Sequence, residues 1–116
     1  MTTETAYPEM DDDKKSEALA ALAPFSICYR ERKFRIGSPD PWYIHQPGIE
    51  VKCRSILRSP CGNGASPLGA VSEYWDEITN LKPGEYVVIG AMTEIRRAVE
   101  WNGFMWADVR ETEAVQ

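Results

Sequence analysis

The chain has 116 residues, a formal net charge of −5 and 43% apolar residues with four tryptophans, which suits one domain around one core. No run approaches the roughly 20 apolar residues of a membrane-spanning helix, and the acidic start of residues 1–13 is unlike a basic-then-apolar secretory signal. The expectation is a cytoplasmic protein with no membrane partner. Cys28, Cys53 and Cys61 are an odd number without a close pair, which reads as reduced thiols.

Residues 1–15 contain Asp11-Asp12-Asp13 and few large apolar groups. They read as a disordered acidic segment, because so little burial does not offset the entropy of ordering. A single folded domain is expected over residues 16–112, with 113–116 as a flexible tail. Residues 16–23 are helix formers stopped by Pro24, and so short a helix needs Leu19 and Leu22 to dock.

Over residues 25–36 the apolar alternation changes phase: Phe25, Ile27 and Tyr29 share one parity, Phe34 and Ile36 the other. A strand does not switch faces without a bulge or turn, which places one at residues 30–32. Gly37-Ser38-Pro39-Asp40-Pro41 is a loop. Residues 42–45 form a short strand ended by Gln46-Pro47-Gly48. Ile49, Val51, Cys53 and Ile56 suit one side of the next strand, with Lys52 and Arg54 on the other.

Residues 59–66 read as a loop around Gly62-Asn63-Gly64. The helix that follows, residues 67–81, is well marked. Ser66 is a good N-cap and Pro67 suits the first turn. Leu68, Val71, Trp75 and Ile78 recur at helical spacing with Tyr74 and Leu81 flanking them, and Lys82-Pro83-Gly84 ends the helix.

The remainder predicts a β-meander. Residues 85–89 are apolar on both sides, as in an inner strand, and residues 90–93 turn the chain. Residues 94–101 and 104–110 flank Asn102-Gly103, a strong two-residue hairpin signal. That turn sets Trp101 opposite Phe104, Val99 opposite Trp106 and Arg97 opposite Asp108 on the face that receives the helix, each pair adding a few tenths to about 1 kcal/mol. The other face is half apolar and is expected to cover the N-terminal strands or serve as a binding surface. The fold class is α+β: an antiparallel sheet with a C-terminal meander, packed by one main amphipathic helix.

Charge is segregated along the chain: residues 1–24 carry −4, residues 25–60 carry +4, and residues 61–116 carry −5. The basic cluster Arg30, Arg32, Lys33 and Arg35, with Lys52 and Arg54 further on, offers a positive patch for phosphate or for an acidic protein surface. Trp42 and Tyr43 are recognition anchors beside it, because Trp, Tyr and Arg dominate contact energetics. Glu73, Asp76 and Glu77 form an acidic helix face for a basic partner.

Other chemistry is poorly marked. His45 and Cys61 allow a Cys-His pair. With Cys28 and Cys53 they supply four zinc-ligand types, but without the close spacing of a knuckle. Residues 61–66 precede a helix as a phosphate cradle does, yet lack the Gly-Lys-Ser/Thr ending of a P-loop. No cofactor, metal or catalytic residue is therefore expected.

The helix leading into Leu81-Lys82-Pro83-Gly84-Glu85-Tyr86, followed by a terminal aromatic hairpin in a short acidic chain, resembles small accessory proteins of phages and prophages, anti-CRISPR proteins among them, over about the last 50 residues. The resemblance implies a non-enzymatic inhibitor or modulator that binds a larger bacterial protein or nucleoprotein complex. A nucleic-acid-binding module working through the basic patch is the alternative, a Cys/His enzyme the next, and the sequence leaves room for a homodimer.

Overall fold

The computed structural model describes residues 10–31, 40–91 and 93–111. The fold is α+β, with two helices and two antiparallel sheets among the described residues. In chain order the elements are α1 (Asp12–Leu22), β1 (Ser26–Tyr29), β2 (Trp42–His45), β3 (Ile49–Cys53), β4 (Ile56–Arg58), β5 (Asn63–Gly64), α2 (Pro67–Thr79), β6 (Tyr86–Ile89), β7 (Arg97–Trp101) and β8 (Trp106–Asp108).

Helix α1 starts four residues earlier than the position expected from its alanine-rich stretch. Asp11 caps it by accepting from the Lys14 amide at 2.8 Å, and Asp12 and Asp13 occupy the first turn. Carboxylates there satisfy amide donors and favour the positive end of the helix dipole. The run read as disordered up to residue 15 thus begins a helix at Asp12, and the part of it before Met10 lies outside the described residues. Leu19 is fully buried. Gln46 closes the other end, its Nε2 donating to the Leu19 and Ala23 carbonyls at 2.8 Å each.

The smaller sheet has the order β1-β2-β5 and the larger β4-β3-β6-β7-β8. A two-residue turn at Arg54-Ser55, with Arg54 at φ 60°, separates β3 from β4, so Ile56 pairs across from Cys53 rather than continuing its strand. Ile56 is 61% exposed. The expected loop at Asn63-Gly64 is a short strand against Trp42 and Tyr43. Of the turn expected at residues 30–32, Arg30 and Glu31 follow β1, with the Arg30 amide donating to the Pro41 carbonyl; Arg32 lies outside the described residues.

Helix α2 lies against β5, β2 and β1. Its N-terminus is as expected, with Ser66 accepting from the Gly69 amide at 3.0 Å. It ends at Thr79, two residues early. Val71, Tyr74, Trp75 and Ile78 pack with Val51, Val87 and Val99 of the larger sheet, Leu19 of α1 and Ile44 of β2. Leu68, expected on this stripe, is 52% exposed because its first-turn position precedes the packed part of the helix. The N-terminal strands therefore form their own sheet on α2 instead of lying under the terminal hairpin. On the outer side of the larger sheet, Val88 and Ala98 are buried on a face shared with Tyr86 and Arg96.

The register of β7 and β8 differs from the expectation. Trp101 pairs with Trp106 and Val99 with Asp108. Asn102 is the cause: its Oδ1 accepts from the Phe104 and Met105 amides at 2.9 Å each, and its amide donates to the Met105 carbonyl at 3.0 Å. The side chain mimics a backbone turn and holds four residues in the loop, with Gly103 at φ 102°. A shift of two leaves the side chains that remain in the strands on their expected faces, while Phe104 and Met105 move into the loop. Arg97 and Asp108 still meet, diagonally, at 2.8 Å.

Candidate functional site

The residues singled out from the sequence fall into two groups. Tyr29 and Trp42 are register partners on one side of the smaller sheet, their rings edge to face with centroids 5.0 Å apart. On the other side the Arg30 guanidinium lies over the Tyr43 ring, 4.4 Å from its centroid, a cation–π contact. Arg30 and Tyr43 are thus brought together on one face at the end of the β1–β2 pair, and Trp42 lies with Tyr29 on the opposite face. Arg32, Lys33 and Arg35 belong to the connection between these strands and lie outside the described residues.

The acidic helix face is largely used inside the fold. Glu73 accepts from the Asn63 amide of β5. Glu77 pairs with Arg58 of β4 at 3.0 Å, and the Arg58 Nε also donates to the Cys53 Sγ at 3.3 Å. The thiol contact above all holds the guanidinium proton above its ordinary range, burial opposes it, and the Glu77 carboxylate adds a smaller effect in the same direction as the thiol. Asp76 is exposed.

The glycine pair that invited comparison with a phosphate cradle has a packing role. A Cβ on Gly62 would come within 2.4 Å of the Tyr74 Cβ, and one on Gly64 within 2.4 Å of the Ala70 amide nitrogen. Both glycines let β5 lie directly on α2. Tyr74 beneath them is 2% exposed, and its phenol is pushed well above its usual range by burial. Cys61 and His45 are both exposed, and no hydrogen bond joins them among the described residues. Among those residues no group of three His, Cys, Asp or Glu side chains is placed to hold a metal.

A concavity of about 600 Å³ lies elsewhere, between α1 and the β7–β8 hairpin. Trp101 and Trp106 form its floor, and Met10 and Leu22 line the helix side. Phe104 and Met105, at the hairpin loop, line it while remaining 63% and 59% exposed. Lys14, Glu17 and Arg97 are its charged lining residues.

The floor is rigid. Trp75, Trp101 and Trp106 meet edge to face with centroids 4.9, 5.8 and 5.2 Å apart. The Trp106 indole also donates to the Ala18 carbonyl of α1 at 2.8 Å, which ties the two walls together. Such a volume and lining are typical of a binding cleft. Sequence reading missed it because a strict two-residue turn paired Phe104 with Trp101, whereas the Asn102 side chain puts Phe104 and Met105 in the loop. The exposed apolar pair beside an Asn-Gly was the available signal.

No family model, curated protein or solved structure matches this chain.

Proposed function

We propose that the chain is an interaction protein that acts by binding a larger protein or nucleoprotein complex and modulating it, without covalent chemistry of its own, and that the groove between α1 and the β7–β8 hairpin is the principal contact surface. The observation that carries this reading is the exposed pair Phe104 and Met105 beside a tryptophan floor. Aromatic and methionine side chains are enriched at the centre of protein contacts, and a preorganised floor lowers the entropy lost on binding.

The test is affinity capture by the immobilised chain from nuclease-treated extract of its own cells, run beside Phe104→Ala with Met105→Ala. Both residues are exposed, so the double variant should fold. A stoichiometric partner held by the parent chain and lost by the variant supports the reading. Equal retention by both overturns the groove as the contact surface.

The cation–π pair of Arg30 and Tyr43 on one face of the β1–β2 end favours a second reading, nucleic-acid binding there, where base stacking and phosphate contacts would combine. In that case binding to a single-stranded oligonucleotide falls steeply with salt. It also drops on Arg30→Ala with Tyr43→Ala and is unaffected by the Phe104 and Met105 changes.

A further inference from the structure

The larger sheet ends on β8, which is paired with β7 on one side only. The Val109 amide donates to the Ala98 carbonyl at 2.8 Å and the Asn102 amide to the Met105 carbonyl at 3.0 Å. Backbone groups alternate in direction along an antiparallel ladder. Residues 105, 107 and 109 therefore turn theirs toward β7, while Trp106, Asp108 and Arg110 each turn an N–H and a C=O toward the free edge. Among the described residues these outward groups have no backbone partner. An open edge of this kind is a template for another strand, and proteins guard against it with proline, a bulge or charges that repel a second chain. Residues 106–110 contain no proline and follow an unbroken register. Their two charges, Asp108 and Arg110, are opposite in sign, exposed and on one side of the sheet. Asp108 meets Arg97 through one carboxylate oxygen, and Arg110 makes no ion pair among the described residues.

We infer that two copies of the chain join through this edge, antiparallel, about a two-fold axis at Val109. That register sets Asp108 of each copy opposite Arg110 of the other, so the symmetry forms the ion pair twice. It also pairs the outward N–H and C=O groups of Asp108 and Arg110 with those of the second copy, and brings Val109 against its counterpart on the other face. An axis at Asp108 would instead oppose the two aspartates, and like charges directly across a ladder are destabilising. Charge thus selects one register where backbone hydrogen bonds alone permit several. The contact joins two five-stranded sheets into one, but an edge alone is a small interface, so the dimer is reversible rather than obligate. None of Asp108, Val109 and Arg110 lines the groove, and the inference does not depend on the groove as a contact surface.

Sedimentation of the full chain over a concentration series tests this. The expected result is a monomer–dimer equilibrium. Arg110→Asp and Asp108→Arg should each weaken it about tenfold or more, because two attractive pairs become two repulsive ones. An equimolar mixture of these two variants should form a heterodimer, since each supplies the charges that the other lacks. Both positions are exposed, and a variant that had merely failed to fold would not regain association on mixing. Arg110→Pro removes an outward N–H without touching the β7–β8 ladder and should also leave a folded monomer.

A chain that remains monomeric throughout the series overturns the inference. So does a dimer indifferent to both charge reversals, or a mixture of the two variants that stays monomeric. A dimer abolished by Phe104→Ala with Met105→Ala but untouched by Arg110→Asp assigns self-association to the groove and equally overturns it.

Discussion

The two sheets are held in place by different means. The larger carries its own centre: Val51, Val87 and Val99 of adjacent strands are fully buried against α2, and Val88 is fully buried on the opposite face. The smaller has one buried apolar side chain, Ile44, and depends on close backbone approach, with β5 lying on α2 through Gly62 and Gly64. The contrast separates stability from side-chain burial from stability that requires the absence of side chains.

Gly64→Ala should have the largest effect. The new Cβ meets helix backbone, which cannot move aside as a flexible side chain would, and a loss of about 3 kcal/mol is expected in urea denaturation. Hydrogen exchange should rise first in β1, β2 and β5. An equal rise in β6 and β7 would erase the distinction between the sheets. Val87→Ala is the converse test, with an expected cost of about 2 kcal/mol and a loss of protection throughout.

Gln46→Leu is expected to cost about 1.5 kcal/mol by leaving the Leu19 and Ala23 carbonyls without their donor. Part of the loss is offset because the Gln46 Oε1 is itself buried with no partner among the described residues. Circular dichroism during urea titration would show whether α1 frays before the global transition.

Glu111 is next. Both its oxygens accept from Arg96, at 2.8 Å each, and one also accepts from the Tyr86 hydroxyl at 2.8 Å. The Arg96 contact, and after it the Tyr86 bond, hold this carboxyl below the ordinary glutamate range, with burial opposing them, and Lys52 adds a smaller field in the same direction. A carboxyl whose proton affinity is lower folded than unfolded stabilises the fold above its unfolded range, and that contribution disappears as the pH falls through its folded value. Glu111→Gln should therefore cost about 1 kcal/mol at neutral pH, with the gap to the parent chain closing on acidification. A gap independent of pH would show that shape rather than charge matters there.

Asp108→Asn should have the smallest effect. Its pair with Arg97 is open to solvent, with side chains 80% and 54% exposed, and such pairs contribute about 0.5 kcal/mol or less. A fall of several degrees in melting temperature would contradict that.

How far the sequence could be read depended on the range of the signal. Helix α2 was legible because its cap, its first-turn proline and its apolar spacing all lie within a few residues of one another. The faces of β7 and β8 were legible because parity survives a shift of two. Their register was not, since it turned on whether the Asn102 side chain would take the place of a backbone turn. The reading missed the start of α1 because three consecutive aspartates resemble a solvated tail until one is seen capping a helix. Of the residues named, Arg30 and Tyr43 stack on one face of the smaller sheet, while Trp42 lies with Tyr29 on the other. The groove was not named, because its walls are distant in sequence and meet through the Trp106 bond to Ala18.

By itself the sequence determined the local matters: the α+β class, the extent of the main helix to within two residues, the inward faces of most strands and the division of charge into three stretches. These follow from periodicity, capping and composition, which act over a few bonds. Tertiary structure decided that the strands divide between two sheets, that the two glycines of the loop before α2 serve close packing, and that α1 and the terminal hairpin meet around one apolar groove. Each of these depends on which distant surfaces exclude water from one another, and that is settled only when the whole chain packs.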